Sequence, residues 1–215
     1  MSDLWVFDND GTLYNDGAAY QQFVSLLLAY IPTLEEIDRA TREELNSVLK
    51  LKVGITARLF ALHQAHGLDF DKTVAATFLK IDLDECGISR PDTERYRVLL
   101  SIVAEKVVFT NNASAHALRV LRYVGLADFF TNIIGVQETG GLSKPNPAAF
   151  QFVQEMFPVR NRIFFCDDKR EFLDAAIPFG WRTIWYQPGF EGDPASVPHR
   201  IIRSFSELID IAGNS

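Results

Sequence analysis

Four short polar clusters carry side chains whose types and spacing can do chemistry. Asp8-Asn9-Asp10-Gly11-Thr12 sets two carboxylates two residues apart on a turn relaxed by Gly11. Such a pair can share a divalent cation while one member stays free to attack phosphorus. A plain Asx/Gly turn also accounts for the pentapeptide. Thr110-Asn111-Asn112 offers a hydroxyl and the first amides of a helix, whose unpaired N–H groups and dipole favour an anion. An N-cap is the simpler explanation of the same residues. Ser143-Lys144-Pro145 stands at a helix entrance, where the lysine can offset charge on a phosphate and on an attacking carboxylate; a lone loop lysine is ordinarily just solvated. Asp167-Asp168 would repel each other, raising one pKa or disfavouring folding, unless a cation sits beside them. A solvated acidic loop is the alternative, with Lys169 and Arg170 following.

The elements that must position these clusters are legible in the apolar pattern. Leu4-Trp5-Val6-Phe7, Val107-Val108-Phe109, Ile163 to Cys166 and Thr183 to Tyr186 are short apolar runs rich in β-formers. They suit strands buried on both faces of a parallel sheet. Ile133-Ile134-Gly135-Val136 is a weaker fifth. Between them, Ala115 to Val124 and Pro147 to Met156 have helical period. This alternation predicts an α/β fold with a doubly wound parallel sheet. Residues 16–104 break it with amphipathic stretches at Ala19 to Tyr30, Leu34 to Leu49, Ile55 to His66 and Phe70 to Leu79. They read as a helical domain inserted after the first strand, with 1–15 and 105–215 forming the α/β core; an ordinary multi-helix crossover is the alternative. In open α/β sheets ligands bind beyond the carboxyl ends of the strands. The polar clusters fall at such ends in the order Asp, Thr, Lys, Asp, which coincidence explains poorly.

Composition narrows the partners. The chain has 215 residues, 47% of them hydrophobic, and a formal net charge of −7. It can bury a sizeable core, and it has no Lys/Arg run longer than a pair. A polynucleotide partner is not expected, whereas local positive charge can still hold a small phosphate. Cys86 and Cys166 have neither CxxC spacing nor a disulfide framework and read as reduced structural thiols. Phe23 to Ile31 is too short to span a bilayer, and the N-terminus lacks the basic region of a signal peptide, so a cytoplasmic protein without membrane association is expected, as monomer or homodimer.

Taken together, Asp8 to Thr12, Thr110, Lys144 and Asp167-Asp168 resemble the four motifs of the haloacid dehalogenase-like hydrolase superfamily, and the long helical segment looks like its helical cap of the first type. Phe7 to Tyr14, Phe109-Thr110-Asn111, Ser143 to Pro147, Phe165 to Asp168, and Ile81-Asp82-Leu83 ahead of Arg90-Pro91-Asp92 are similar to the pyrimidine 5′-nucleotidase-like branch. The resemblance implies a Mg²⁺-dependent phosphatase with Asp8 as nucleophile and metal ligand. Asp10 would protonate the leaving alkoxide, activate water and touch the metal through its carbonyl. Thr110 would bind the phosphoryl group with Asn111 nearby, Lys144 would neutralise Asp8 and phosphate, and Asp168 with Asp167 would complete the metal site. The dehalogenase branch lacks the second aspartate, so Asp10 argues against carbon–halogen hydrolysis. This chain departs from the branch in having Phe172 where relatives place Asn or Asp, and Lys169 where they place Ser or Thr.

The implied substrate is a small phosphorylated metabolite, with a nucleoside monophosphate as the leading guess. Tyr14, Lys52, Arg58 and His63 are candidates to meet the leaving group, although packing explains Tyr14, a helix surface explains His63, and solvation explains Lys52 and Arg58. Phe23, Tyr14 or Phe60 could stack on a base. A phosphomutase and a catalytically idle binding module are the rival readings. The costly carboxylate cluster weighs against the idle module.

Overall fold

The computed structural model of the chain describes residues 2–15, 17–35, 37–51, 54–88 and 92–213. Six parallel strands form one sheet in the order β3-β2-β1-β4-β5-β6. They are β1 (Leu4–Phe7), β2 (Glu105–Phe109), β3 (Asn132–Ile134), β4 (Ile163–Asp167), β5 (Arg182–Tyr186) and β6 (Arg200–Ile202). Leu4 pairs with Glu105 on one side and Ile163 on the other, and Phe7 with Val108 and Cys166. One step further on, Asp8 is level with Asp167, held by Asp8 N–H donating to the Cys166 carbonyl at 2.9 Å. The register thus delivers the strand-end carboxylates side by side.

Helices cover both faces, which is why the central strands read as continuous apolar runs. Leu4, Val6, Phe109 and Phe165 pack against Phe150 and Leu173 of α7 (Pro147–Met156) and α8 (Arg170–Ala176). Trp5, Phe7, Val108 and Phe164 face the opposite way, toward α5 (Thr93–Ser101), α6 (Ser114–Tyr123) and α9 (Leu208–Gly213). That second core runs on without a break into Phe23, Leu27, Leu45 and Leu59 of the inserted helices α1 (Ala19–Tyr30), α2 (Arg39–Val48), α3 (Ile55–His66) and α4 (Phe70–Ala76). Between β1 and β2 there is no strand among the described residues. Arg95 of α5 donates to the Thr12 carbonyl at 2.9 Å and lies over the Tyr186 and Phe205 rings, so α5 is fastened to the sheet side of the molecule.

Capping explains where several elements begin. Asp38, Asp69 and Asp92 accept from the N–H of Thr41, Lys72 and Arg95, and Asn146 accepts from Ala148 with Pro147 at the first helical position. Asp38 therefore starts α2 at Arg39, later than the Leu34 that the sequence pattern suggested, and a 3₁₀ turn at Ile31–Thr33 closes the preceding helix. Similarly α4 stops at Ala76 and a second 3₁₀ turn follows at Phe78–Lys80. The weak strand ends at Ile134, because Val136 N–H bonds the Asn112 carbonyl at 3.1 Å and turns the chain away. The sixth strand, three residues at the sheet edge, is an addition to the five expected. Cys86 and Cys166 are free and buried, and no helix among the described residues is long and apolar enough to cross a membrane.

Candidate active site

The ends of β1 and β4 and the loop before α7 converge on a buried charge cluster. Lys144 Nζ donates to Asp8 Oδ1 at 2.6 Å and to Asp167 Oδ2 at 2.7 Å. The Lys144 and Asp167 side chains are wholly buried in these pairs. Three rings, Phe109, Phe165 and Phe172, surround the ammonium at 5.1–5.3 Å from its nitrogen to their centroids. Asn111 fixes the lysine from behind: its Nδ2 donates to the Lys144 carbonyl at 2.8 Å and its Oδ1 accepts from Lys144 N–H at 2.7 Å. Both functional atoms of the Asn111 side chain are thus engaged with the lysine backbone, so this side chain positions Lys144 where the sequence had offered it as a substrate ligand.

The electrostatics follow from burial. Desolvation, against the pull of Lys144 and with the push of Asp167 and Asp10, raises Asp8 to about 7. Desolvation likewise raises Asp167 and Asp168 to about 6 each. Burial lowers the Lys144 pKa, but the charges of Asp167 and Asp8 outweigh it and leave it above its ordinary value. Asp8, Asp167 and Asp168 offer oxygens that all lie within 4.8 Å of one another. Asp168 Oδ1 is buried without a partner among the described residues. Three crowded carboxylates against one buried ammonium, with an orphaned oxygen among them, fit a hard divalent cation with oxygen ligands. Gly11, at φ +85°, permits the approach: a Cβ there would come within 2.8 Å of Asp168 Oδ2.

Asp10 points elsewhere. Its Oδ2 accepts from Thr110 Oγ1 and from Asn112 Nδ2, both at 3.2 Å, and its Oδ1 accepts from the Tyr14 hydroxyl. Asn112 Oδ1 in turn accepts from Thr56 Oγ1 of α3 at 3.0 Å, which joins the inserted helices to the core through this carboxylate. Thr110 does not cap α6; Ala113 occupies that position, and the hydroxyl is given to Asp10 while accepting from Asn112 N–H at 3.0 Å.

A cavity of about 190 Å³ opens above Asp8 and Asp10, with Phe23, Ile55, Phe78 and Ile81 among its walls. Of the proposed stacking residues only Phe23 lines it; Phe60 packs edge-on against Phe70, and Tyr14 is committed to Asp10. His63 is a correction. It is 1% exposed, not on a helix surface, because its two ring nitrogens bond the Leu59 carbonyl and Thr73 Oγ1 at 2.7 Å each. Arg58 is exposed and outside the cavity lining. Lys52, and Arg90-Pro91 of the branch-like segment, lie outside the described residues. Phe172 is buried beside Lys144, and Lys169 stands exposed at the cavity with its ammonium 5.6 Å from the Phe172 ring centroid. Thr56 and His116 were not anticipated, since each reaches the site through tertiary packing; Asn112 belongs to a recognised cluster, but its side-chain bond to Asp10 carries no sequence signal.

The family model of haloacid dehalogenase-like hydrolases matches residues 3–176, and the chain belongs to that family. Among solved structures it is similar in fold to a HAD phosphatase from Thermococcus onnurineus, at 17% identity over 99% of this chain and 98% of that one with a TM-score of 0.64. It is also similar to a 2-haloacid dehalogenase from Pseudomonas syringae pv. Tomato DC3000, at 23% identity, covering 100% and 99% with a TM-score of 0.62. A third is the HAD-hydrolase YfnB from Bacillus subtilis, solved bound to magnesium, at 18% identity, 98% of both chains and a TM-score of 0.58.

Proposed function

We propose that this hydrolase is a phosphatase acting on a small phosphate monoester through an aspartyl-phosphate on Asp8. The observation that carries the reading is the position of Asp10: a carboxylate two residues from the nucleophile, partly buried at the cavity and aimed by Tyr14, Thr110 and Asn112. A halide leaves without a proton, so a dehalogenase has no use for an acid there. An alkoxide needs one.

In the proposed reaction an Asp8 oxygen attacks phosphorus in line while the bond to the leaving oxygen breaks, and Asp10 hands its proton to that oxygen. Asp10 then takes a proton from water as the water oxygen attacks the phosphorus of the acyl phosphate, freeing inorganic phosphate and restoring Asp8. Lys144 holds the Asp8 carboxylate in place and offsets charge as the phosphoryl group arrives, and the Thr110 hydroxyl exchanges Asp10 for a phosphoryl oxygen. Asp8, Asp167 and Asp168, with the Asp10 carbonyl, would hold Mg²⁺, which supplies charge stabilisation to the transferring group. Residues 16–104 serve as a cap that walls the leaving-group side, and α5 anchors it to the core of 1–15 and 105–215. Pyrimidine 5′-monophosphates are the leading substrates, supported by the apolar walls beside the nucleophile.

The test is phosphate release from p-nitrophenyl phosphate and a panel of nucleoside monophosphates, with Mg²⁺ or EDTA, by wild type and Asp8→Asn. Turnover only with Mg²⁺ and only by wild type is expected. A folded wild type that releases phosphate from none of these esters would overturn the reading.

A further inference from the structure

Resting on the phosphatase reading, we infer that His116 is the residue that recognises the leaving group, by a hydrogen bond to its Nδ1. His116 stands in the first turn of α6, on the core, and lines the same cavity as Asp8 and Asp10. Its side chain is 1% exposed, and Nδ1 has no partner among the described residues. The ring packs on the Phe78 side chain at 5.5 Å between centroids. Leaving a buried imidazole nitrogen unmatched costs stability, and a ligand atom would remove that cost.

The other polar groups of the cavity are already committed. Thr56 donates to Asn112, Asn112 and Thr110 to Asp10, and the Asn111 amide holds the Lys144 backbone. Tyr20 and Lys169 are exposed at the rim. Around His116 the walls are Phe23, Ile55, Phe78 and Ile81. The chemistry this selects is a compact leaving group with a flat, largely apolar body and a hydrogen-bonding nitrogen or oxygen. A bare sugar or polyol, with no flat ring to cover them, would press unpaired hydroxyls against four hydrocarbon walls. The site rejects analogues that lack the heteroatom, because they leave Nδ1 unpaired.

The experiment measures kcat and KM of wild type, His116→Phe, His116→Asn and His116→Gln for phenyl phosphate, 3-hydroxyphenyl phosphate, 3-pyridyl phosphate and uridine 5′-monophosphate. Each kcat/KM is divided by that enzyme's value for phenyl phosphate, which cancels any general loss. In wild type a heteroatom-bearing ester leads the panel. His116→Phe lowers its ratio about tenfold, the effect of one hydrogen bond, and most of the loss lies in KM. Asn, whose amide reaches the Nδ1 position, restores part of the ratio, and Gln, whose amide reaches the Nε2 position, restores less. If Phe does not fold, the Asn-to-Gln contrast carries the test. Equal ratios in wild type and Phe, or in Asn and Gln, overturn the inference, as does a wild type that prefers phenyl phosphate. A wild type that hydrolyses none of the four overturns the phosphatase reading, and this inference with it.

Discussion

Replacing Lys144 with methionine keeps most of the side-chain volume and removes the ammonium that Asp8 and Asp167 share at 2.6 and 2.7 Å. Because the lysine and Asp167 side chains are fully buried there, losing one partner leaves uncompensated charge and costs about 3–5 kcal/mol. The cost depends on pH. The folded pKa values of Asp8 and Asp167, about 7 and about 6, lie above the ordinary 3.8. The folded state therefore holds protons that the unfolded state has released, and stability falls as pH rises through that window. Without Lys144 both values rise further. At pH 8 the carboxylates are ionised in wild type and the full penalty applies. At pH 5 both are largely protonated with or without the lysine, and the difference shrinks to about 1 kcal/mol, the value of an ordinary hydrogen bond. Lys144 itself, with its pKa raised above 10.5, stays charged across the range and adds no slope. Urea denaturation in EDTA reads this as a midpoint shift of roughly 1–2 M at pH 8 and a much smaller one at pH 5. Equal shifts at both pH values would refute the electrostatic argument and leave only packing.

Mg²⁺ at 100 times its pH 8 Kd is expected to stabilise wild type by about 2.7 kcal/mol at pH 8, read as a rise in melting temperature, and by less at pH 5.5, since protons compete for the same carboxylates; Asp168→Asn should abolish the rise, and an undiminished rise in that variant places the cation elsewhere. Gly11→Ala puts a Cβ 2.8 Å from Asp168 Oδ2 at φ +85°, so a stability loss of at least about 1–2 kcal/mol with loss of the Mg²⁺ response is expected in the same melting assay. Thr56→Val cuts the 3.0 Å bond to Asn112 and with it the orientation of Asp10. It should lower kcat several-fold while costing about 1 kcal/mol of stability, and an unchanged kcat would show that Asp10 is held without the inserted helices.

Strands β1, β2, β4 and β5 were legible because each carries a short apolar run with a polar residue at or just beyond its end, a pattern that a sheet buried on both faces imposes; Lys144, by contrast, lies in the loop before α7 and not at the end of β3, where the sequence pattern had set it. Helix bounds at Ala19–Tyr30, Ile55–His66 and Pro147–Met156 follow from periodicity alone. The edge strand Arg200–Ile202 was not legible, since three residues paired on one side carry too little pattern. His63 shows a second limit. A histidine at a helical position reads as surface until the packing of α4 supplies the Thr73 hydroxyl that satisfies it. The Thr56–Asn112–Asp10 chain joins residues up to 102 positions apart, and no local signal marks such a contact. Phe172 looked like a lost polar partner for the metal site. The structure gives it a different place, against the Lys144 ammonium in a ring of three phenylalanines.

The central claim is that Asp8 carries the phosphoryl group. In Asp10→Asn, p-nitrophenyl phosphate can still load the nucleophile, because nitrophenolate leaves without an acid, while water is no longer activated and the intermediate accumulates. Acid quenching with Mg²⁺ present, followed by peptide mapping, should find a hydroxylamine-labile phosphoryl group on the peptide containing Asp8. Phosphate release with no phosphorylated protein in either wild type or Asp10→Asn, or a phosphoryl group on another residue, would contradict the account.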